Sequence, residues 1–100
     1  MMNAKQRAYL RSLAHHLKPI FQIGKEGVTD AAIGAVENAF NTREILKVKV
    51  QEAAPLTARE AGGLFAERIA DVVHIQTIGR TLVLYRPDPE KPEIQLSKLG

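Results

Sequence analysis

The sequence contains no cysteine and no tryptophan. Without thiols, a disulfide framework, a thiolate zinc site and a cysteine nucleophile are all excluded, and a reducing compartment, the cytoplasm, is the expected setting. Aromatic residues are scarce as well: three phenylalanines and two tyrosines make up 5% of the chain. With Phe40 and Phe65 at core positions of helical stripes, too few remain for a base-stacking sheet surface. No apolar run approaches the ~20 residues that span a bilayer, and Met1-Met2-Asn3-Ala4-Lys5-Gln6-Arg7 lacks the apolar segment of a signal peptide. A soluble, unexported protein without a membrane partner is expected. Acid is missing from the first quarter of the chain. Residues 1–25 hold Lys5, Arg7, Arg11, Lys18 and Lys25 and neither Asp nor Glu, whereas residues 51–100 hold six cations and seven acids. The net charge of +3 is thus concentrated at one end, where it steers a polyanion, nucleic acid being the most abundant. A solvated helix face kept basic for solubility is the alternative.

What is present is an ordinary globular composition, 45% hydrophobic and 25% charged over 100 residues, which suits a single domain. Asn3 with Gln6 three residues on has the form of a capping box, and Leu10, Leu13, Ala14 and Leu17 recur at helical spacing, so a first helix is predicted over residues 4–17. Arg7, Arg11, His15 and Lys18 fall on one edge of it. Pro19 ends the helix, and Ile20-Phe21-Gln22-Ile23 reads as a short strand. Thr29 caps a second helix running to about Asn41. In Ile45-Leu46-Lys47-Val48-Lys49-Val50 the alternation predicts a strand with one wet, lysine-bearing face. Thr57-Ala58-Arg59-Glu60 opens a third helix that contains Gly62-Gly63, a pair that suits close packing against a neighbour. Two β-rich runs, 72–78 and 81–86, joined by Gly79-Arg80, predict a hairpin. The three prolines at 87, 89 and 92 predict an extended, exposed tail over residues 87–100. The fold class is therefore α/β: one domain over residues 1–86, order α-β-α-β-α-β-β, with a four-stranded mixed sheet packed by helices.

The stretch most suggestive of function is Ile23-Gly24-Lys25-Glu26-Gly27, between the first strand and the second helix. Two glycines three apart let a backbone come close to another surface while Lys25 is carried on the turn, ahead of a helix N-terminus that attracts anions. It lacks the spacing and the Gly-Lys-Ser/Thr ending of a phosphate-binding loop of nucleotide hydrolases. A flexible strand-to-helix turn is the plain alternative. His15 and His16 are adjacent, hence about 100° apart on a helix, and no acid lies near them, so no metal site is expected. None of the serines or threonines lies in a nucleophile motif, and neither catalysis, a cofactor nor a small-molecule substrate is indicated.

Several segments in the same order, Leu13-Ala14-His15-His16-Leu17-Lys18-Pro19, Ile23-Gly24-Lys25-Glu26-Gly27-Val28-Thr29, Glu44-Ile45-Leu46-Lys47-Val48-Lys49-Val50 and Ile78-Gly79-Arg80 with Leu84-Tyr85-Arg86, resemble the CRM domain in its single-domain bacterial YhbY form. The resemblance covers roughly residues 3–86. It implies a non-catalytic RNA-binding protein associated with the precursor of the large ribosomal subunit, with a fold like the C-terminal domain of translation initiation factor three. It also implies that Gly24, Lys25 and Gly27 form an RNA-contacting loop supported by basic residues on the same side. Lys18, Arg11 and Arg7 extend that track along the first helix. Lys47, Lys49, Arg80 and Arg86 complete the candidate set, although alternating lysines also protect an exposed strand, and Arg80 and Arg86 mark a turn and a strand end. A monomer is expected. The competing function is a ribosome-associated protein-interaction module whose basic edge only steers docking.

Overall fold

Asn3 opens the first helix with the predicted capping box: its side chain accepts from the Gln6 N–H at 2.8 Å, and the Gln6 side chain accepts from the Asn3 N–H at 3.0 Å. A computed structural model describes residues 2–96 of the chain. Its elements are α1 (Ala4–Ala14), β1 (Phe21–Ile23), α2 (Asp30–Ala39), β2 (Ile45–Val50), α3 (Ala58–Arg68), β3 (Val73–Ile78) and β4 (Thr81–Tyr85). Thr29 and Thr57 cap α2 and α3, the latter through a second capping box with Glu60. Helix α1 ends three residues before the expected Leu17, and the Leu17 N–H turns back to the Ala14 carbonyl at 2.9 Å. Ala14 is its last buried residue, and residues 15–20 are all exposed. No packing therefore holds another helical turn ahead of Pro19.

The sheet order is β1-β2-β4-β3, with β1 parallel to β2 and β4 antiparallel to both of its neighbours. Strands β1, β2 and β3 thus run one way and β4 is inserted against them, which makes the expected four-stranded mixed sheet. Leu82, Val83, Leu84 and Tyr85 are all buried, although successive residues of a strand face opposite sides. Both faces of the sheet are therefore covered. One packs on α2 and α3 around Val36, Phe40, Ala61 and Phe65, and the other packs on α1 through Leu10 and Ala14. The expected wet face of β2 is corrected accordingly: Ile45 and Lys47 are half-buried beside α1, and Lys49 alone is exposed. Register slips between His74 and Gln76 on β3, so that Ile75 and Gln76 both lie opposite Val83 on the α1 side. The two-residue turn Gly79-Arg80 closes the hairpin with φ +58° at Gly79.

Among the described residues beyond Arg86 there is no α-helix or strand, and the segment is exposed from Pro89 to Glu93, but it is folded back and not free. Glu44, 7% exposed and the only buried charged residue among those described, accepts backbone N–H bonds from Asp88, Glu93 and Ile94. Ile94 and Leu96 pack beside the α1 cluster, and Gln6 Nε2 donates to the Leu96 carbonyl. The last four residues of the expected tail lie outside the described residues.

Of the glycine pair in α3, Gly62 faces the His74 ring, whereas a side chain at Gly63 would meet nothing within 4 Å. Gly63→Ala is accordingly expected to stabilise the protein by about 0.5–1 kcal/mol, the helix-propensity difference. A thermal melt checks this, and an unchanged or lowered midpoint contradicts it.

Candidate nucleic-acid interface

Because β1 and β2 are parallel and β4 runs against β2, three connections fall at one end of the sheet: the turn at residues 24–27, the segment 51–57 and the hairpin turn Gly79-Arg80. The first closes through the Gly27 N–H donating to the Gly24 carbonyl at 3.0 Å, with φ +74° at Gly27. A Cβ at position 24 would lie 3.2 Å from Gln51 Oε1, and one at position 27 would lie 3.3 Å from Pro55 Cγ. The missing side chains thus face the 51–57 segment; at Gly27 the positive φ and the Pro55 ring ask for glycine, whereas at Gly24 the neighbour is the end of the exposed Gln51 side chain. Lys25 and Glu26 stand exposed at the tip.

Charge at this end is mixed. Arg80 pairs with Glu52 at 3.7 Å, and Asp30 in the first turn of α2 pairs with Arg68 at 2.7 Å, all four groups being largely exposed. Hydrogen bonds from Thr57 hold the Glu60 carboxyl below its ordinary pKa, so the first turn of α3 is negative too. Such acids offset the attraction that the N-termini of α2 and α3 exert on an anion.

The purely cationic surface lies on the α1 side of the sheet. Lys47 Nζ donates to the Leu17 carbonyl at 3.0 Å, which sets the ammonium at the C-terminal end of α1. Arg11 lies in the last turn of α1 and lines one groove with Lys47, His15 and His16. Lys18 follows on the exposed connection. Lys49 is two residues along β2 on the same face, with Gln22 and Thr81 as its cross-strand partners. From there the surface reaches the glycine turn. Gln51 donates its amide to Gln22 Oε1, and Gln51 Oε1 covers Gly24. This glutamine link was not anticipated from the sequence, because it depends on the parallel register of β1 and β2.

The structure therefore brings Arg11, Lys18, Lys47 and Lys49 together and joins them to Gly24, Lys25 and Gly27. Arg80 stands at the loop end with an acidic partner. Arg7 reaches the β3 bulge, where Nη1 donates to the His74 and Ile75 carbonyls at 3.4 and 3.3 Å. Arg86 is set apart: it follows the opposite end of β4 and lies 5.3 Å over the Phe40 ring. Among the described residues the two ion pairs use Arg68 and Arg80, so Arg7, Arg11, Lys18, Lys25, Lys47 and Lys49 carry unneutralised charge. The rings of His15 and His16 meet edge to face at 5.2 Å, and no group of three potential metal-ligating side chains occurs among the described residues. No helix among them is long and apolar enough to cross a membrane.

Comparison with known proteins agrees with this architecture. Residues 2–86 match the CRS1 / YhbY (CRM) domain family. An "RNA-binding protein" of Haemophilus influenzae is 40% identical over 100 residues, covering 97% of this chain and 96% of its own. The "Probable RNA-binding protein YqeI" of Bacillus subtilis is 38% identical over 96 residues, covering 96% of this chain and 99% of its own. The solution structure of the hypothetical protein SAV1595 from Staphylococcus aureus superposes with a TM-score of 0.76 at 36% identity, covering 95% of this chain and 98% of that one.

Proposed function

The chain belongs to the CRS1 / YhbY (CRM) domain family, and from that premise we propose that it binds RNA through the cationic surface that runs from Arg11 and Lys18 across Lys47 and Lys49 to Lys25. The observation that carries this reading is the lack of any ion pair at these five cations among the described residues. Unpaired ammonium and guanidinium groups release counterions when they meet phosphates, which is the main source of sequence-independent affinity. Gly24 and Gly27 serve by keeping the turn compact, so that Lys25 projects from a fixed base. The RNA is ribosomal, within the precursor of the large subunit, and the protein assists assembly in the cytoplasm without catalysing a reaction. The relatives named as RNA-binding proteins support RNA as the partner, and the resemblance of its segments supports the ribosomal target.

Binding to purified large-subunit RNA fragments at a series of salt concentrations tests the reading, because no ribosomal protein is present to serve as a docking partner. The logarithm of affinity should fall linearly with that of salt, and Lys25→Ala should flatten the slope by about 0.7–0.9, one phosphate contact. An unaltered slope and affinity would remove Lys25 from the interface. Crosslinking in cells tests the ribosomal target, and RNA recovered in proportion to total cellular RNA would sink that part.

A further inference from the structure

The cationic surface contains a groove that phosphate binding does not use in full. It has a volume of about 430 Å³ and is bounded by the end of α1 and by β3. Arg11 and Lys47 supply charge, His15 and His16 supply rings, and Gln76 and Ile78 form the wall contributed by β3. The β3 bulge is what presents Gln76 here, since it turns two successive residues toward α1. The Gln76 side-chain amide is half-buried and has no hydrogen-bond partner among the described residues. Ile78 is 54% exposed. An exposed isoleucine alone means little, but here it shares a concavity with an unused amide, imidazole rings and two cations.

We propose that this groove seats one unpaired RNA nucleotide, its base against Ile78 and the histidine rings, its polar edge on the Gln76 amide, and its phosphate at Arg11 and Lys47. The inference rests on the RNA-binding reading above and adds a subsite to it. The volume lies within the ~300–1,000 Å³ range of ligand sites and suits a single nucleotide. A bare phosphate would leave the isoleucine and the amide unused. A duplex keeps its base faces stacked and its pairing edges occupied, so it offers the groove neither. The C-terminal end of α1 points the same way. Its negative dipole end disfavours a phosphate inside the groove and suits the amino groups of a base, with the phosphate met at the rim.

The test compares a short single-stranded oligoribonucleotide with the same strand fully paired in a duplex, using the whole chain. The wild-type protein should prefer the single strand. Gln76→Ala combined with Ile78→Ala should weaken single-strand binding about tenfold, the loss of the hydrogen bond to the base edge and of the apolar contact with its face, and should change duplex binding by less than about twofold, since neither side chain carries charge. In proton–nitrogen spectra the Gln76 side-chain amide should move on adding the single strand and stay in place on adding the duplex. Equal wild-type affinity for the two probes, or a variant that weakens both alike or neither, overturns the subsite while leaving RNA binding intact. Failure of the wild-type protein to bind either probe overturns the broader reading instead. Gln76 is half-buried at the β3 bulge and Ile78 is exposed at the strand end, and a melt of the double variant confirms that it folds.

Discussion

Glu44→Ala is expected to lower the thermal midpoint by about 10 °C, the equivalent of about 2 kcal/mol in a domain of this size. Oε1 accepts the Glu93 and Ile94 N–H groups, at 2.9 and 2.8 Å, and Oε2 accepts that of Asp88. Removing the carboxylate strands three donors in a half-buried place, and each stranded donor costs about 1–3 kcal/mol when it cannot reach water. The segment can swing out and hydrate its donors, so the whole of that cost is not felt. It then surrenders the packing of Ile94 and Leu96 beside α1 and the bond from Gln6. Glu44→Gln should fall between the two, because its amide keeps one acceptor but presents a donor where a second acceptor stood. Hydrogen exchange separates this from a general loss of stability: the amides of Asp88, Glu93 and Ile94 should lose protection while those of β4 keep theirs. A Glu44→Ala protein that melts like wild type with these amides still protected would refute the role.

The second large effect concerns Gly62. A methyl group there would lie 2.6 Å from Cε1 and 2.7 Å from both ring nitrogens of His74. The ring cannot easily step aside, because Nε2 and Thr77 Oγ1 are hydrogen-bonded at 2.8 Å. Overpacking of this kind costs about 1–3 kcal/mol, against a helix-propensity gain of about 1 kcal/mol for alanine. Gly62→Ala should therefore destabilise by about 1 kcal/mol, the middle of the net range, the opposite sign to Gly63→Ala one residue on. Adding His74→Ala should recover most of the loss, and additive losses in the double variant would exclude the contact as the cause.

The same packing gives His74 a pH signature. Burial pushes its pKa below the ordinary 6.5, a hydrogen bond to the Gln76 backbone opposes this, and the positive charges of Arg59 and Arg7 add to the lowering. As pH falls, the unfolded chain takes up the proton first. Stability from the neutral ring is thus complete above about pH 6.5 and is lost as pH drops through the folded-state value. His74→Gln should flatten this part of the stability profile.

Much of the fold was legible because its signals are local. Asn3 with Gln6, Thr29, and Thr57 with Glu60 announced three helix starts within four residues each, and Gly79-Arg80 announced the hairpin. The glycine pair in α3 was legible as a packing feature, but only the structure separates Gly62, against a ring, from Gly63, against nothing. The end of α1 was misjudged because Leu17 continues the helical pattern without finding a surface to bury it. That the tail docks on the domain was not legible, because prolines report what a segment cannot pair with and say nothing of a carboxylate more than forty residues earlier that holds its N–H groups.

The interface divides in the same way. An acid-free first quarter and a glycine turn bearing Lys25 are properties of the sequence itself, since charge and turn chemistry belong to neighbouring residues. Which cations gather was decided by tertiary structure. Insertion of β4 between β2 and β3 leaves α1 over one face, which brings Arg11 to Lys47 and sends Arg86 to the far end beside Phe40. Strand order follows from burying Leu82, Val83, Leu84 and Tyr85 on both sides at once, a sum over the whole sheet that no window along the chain contains.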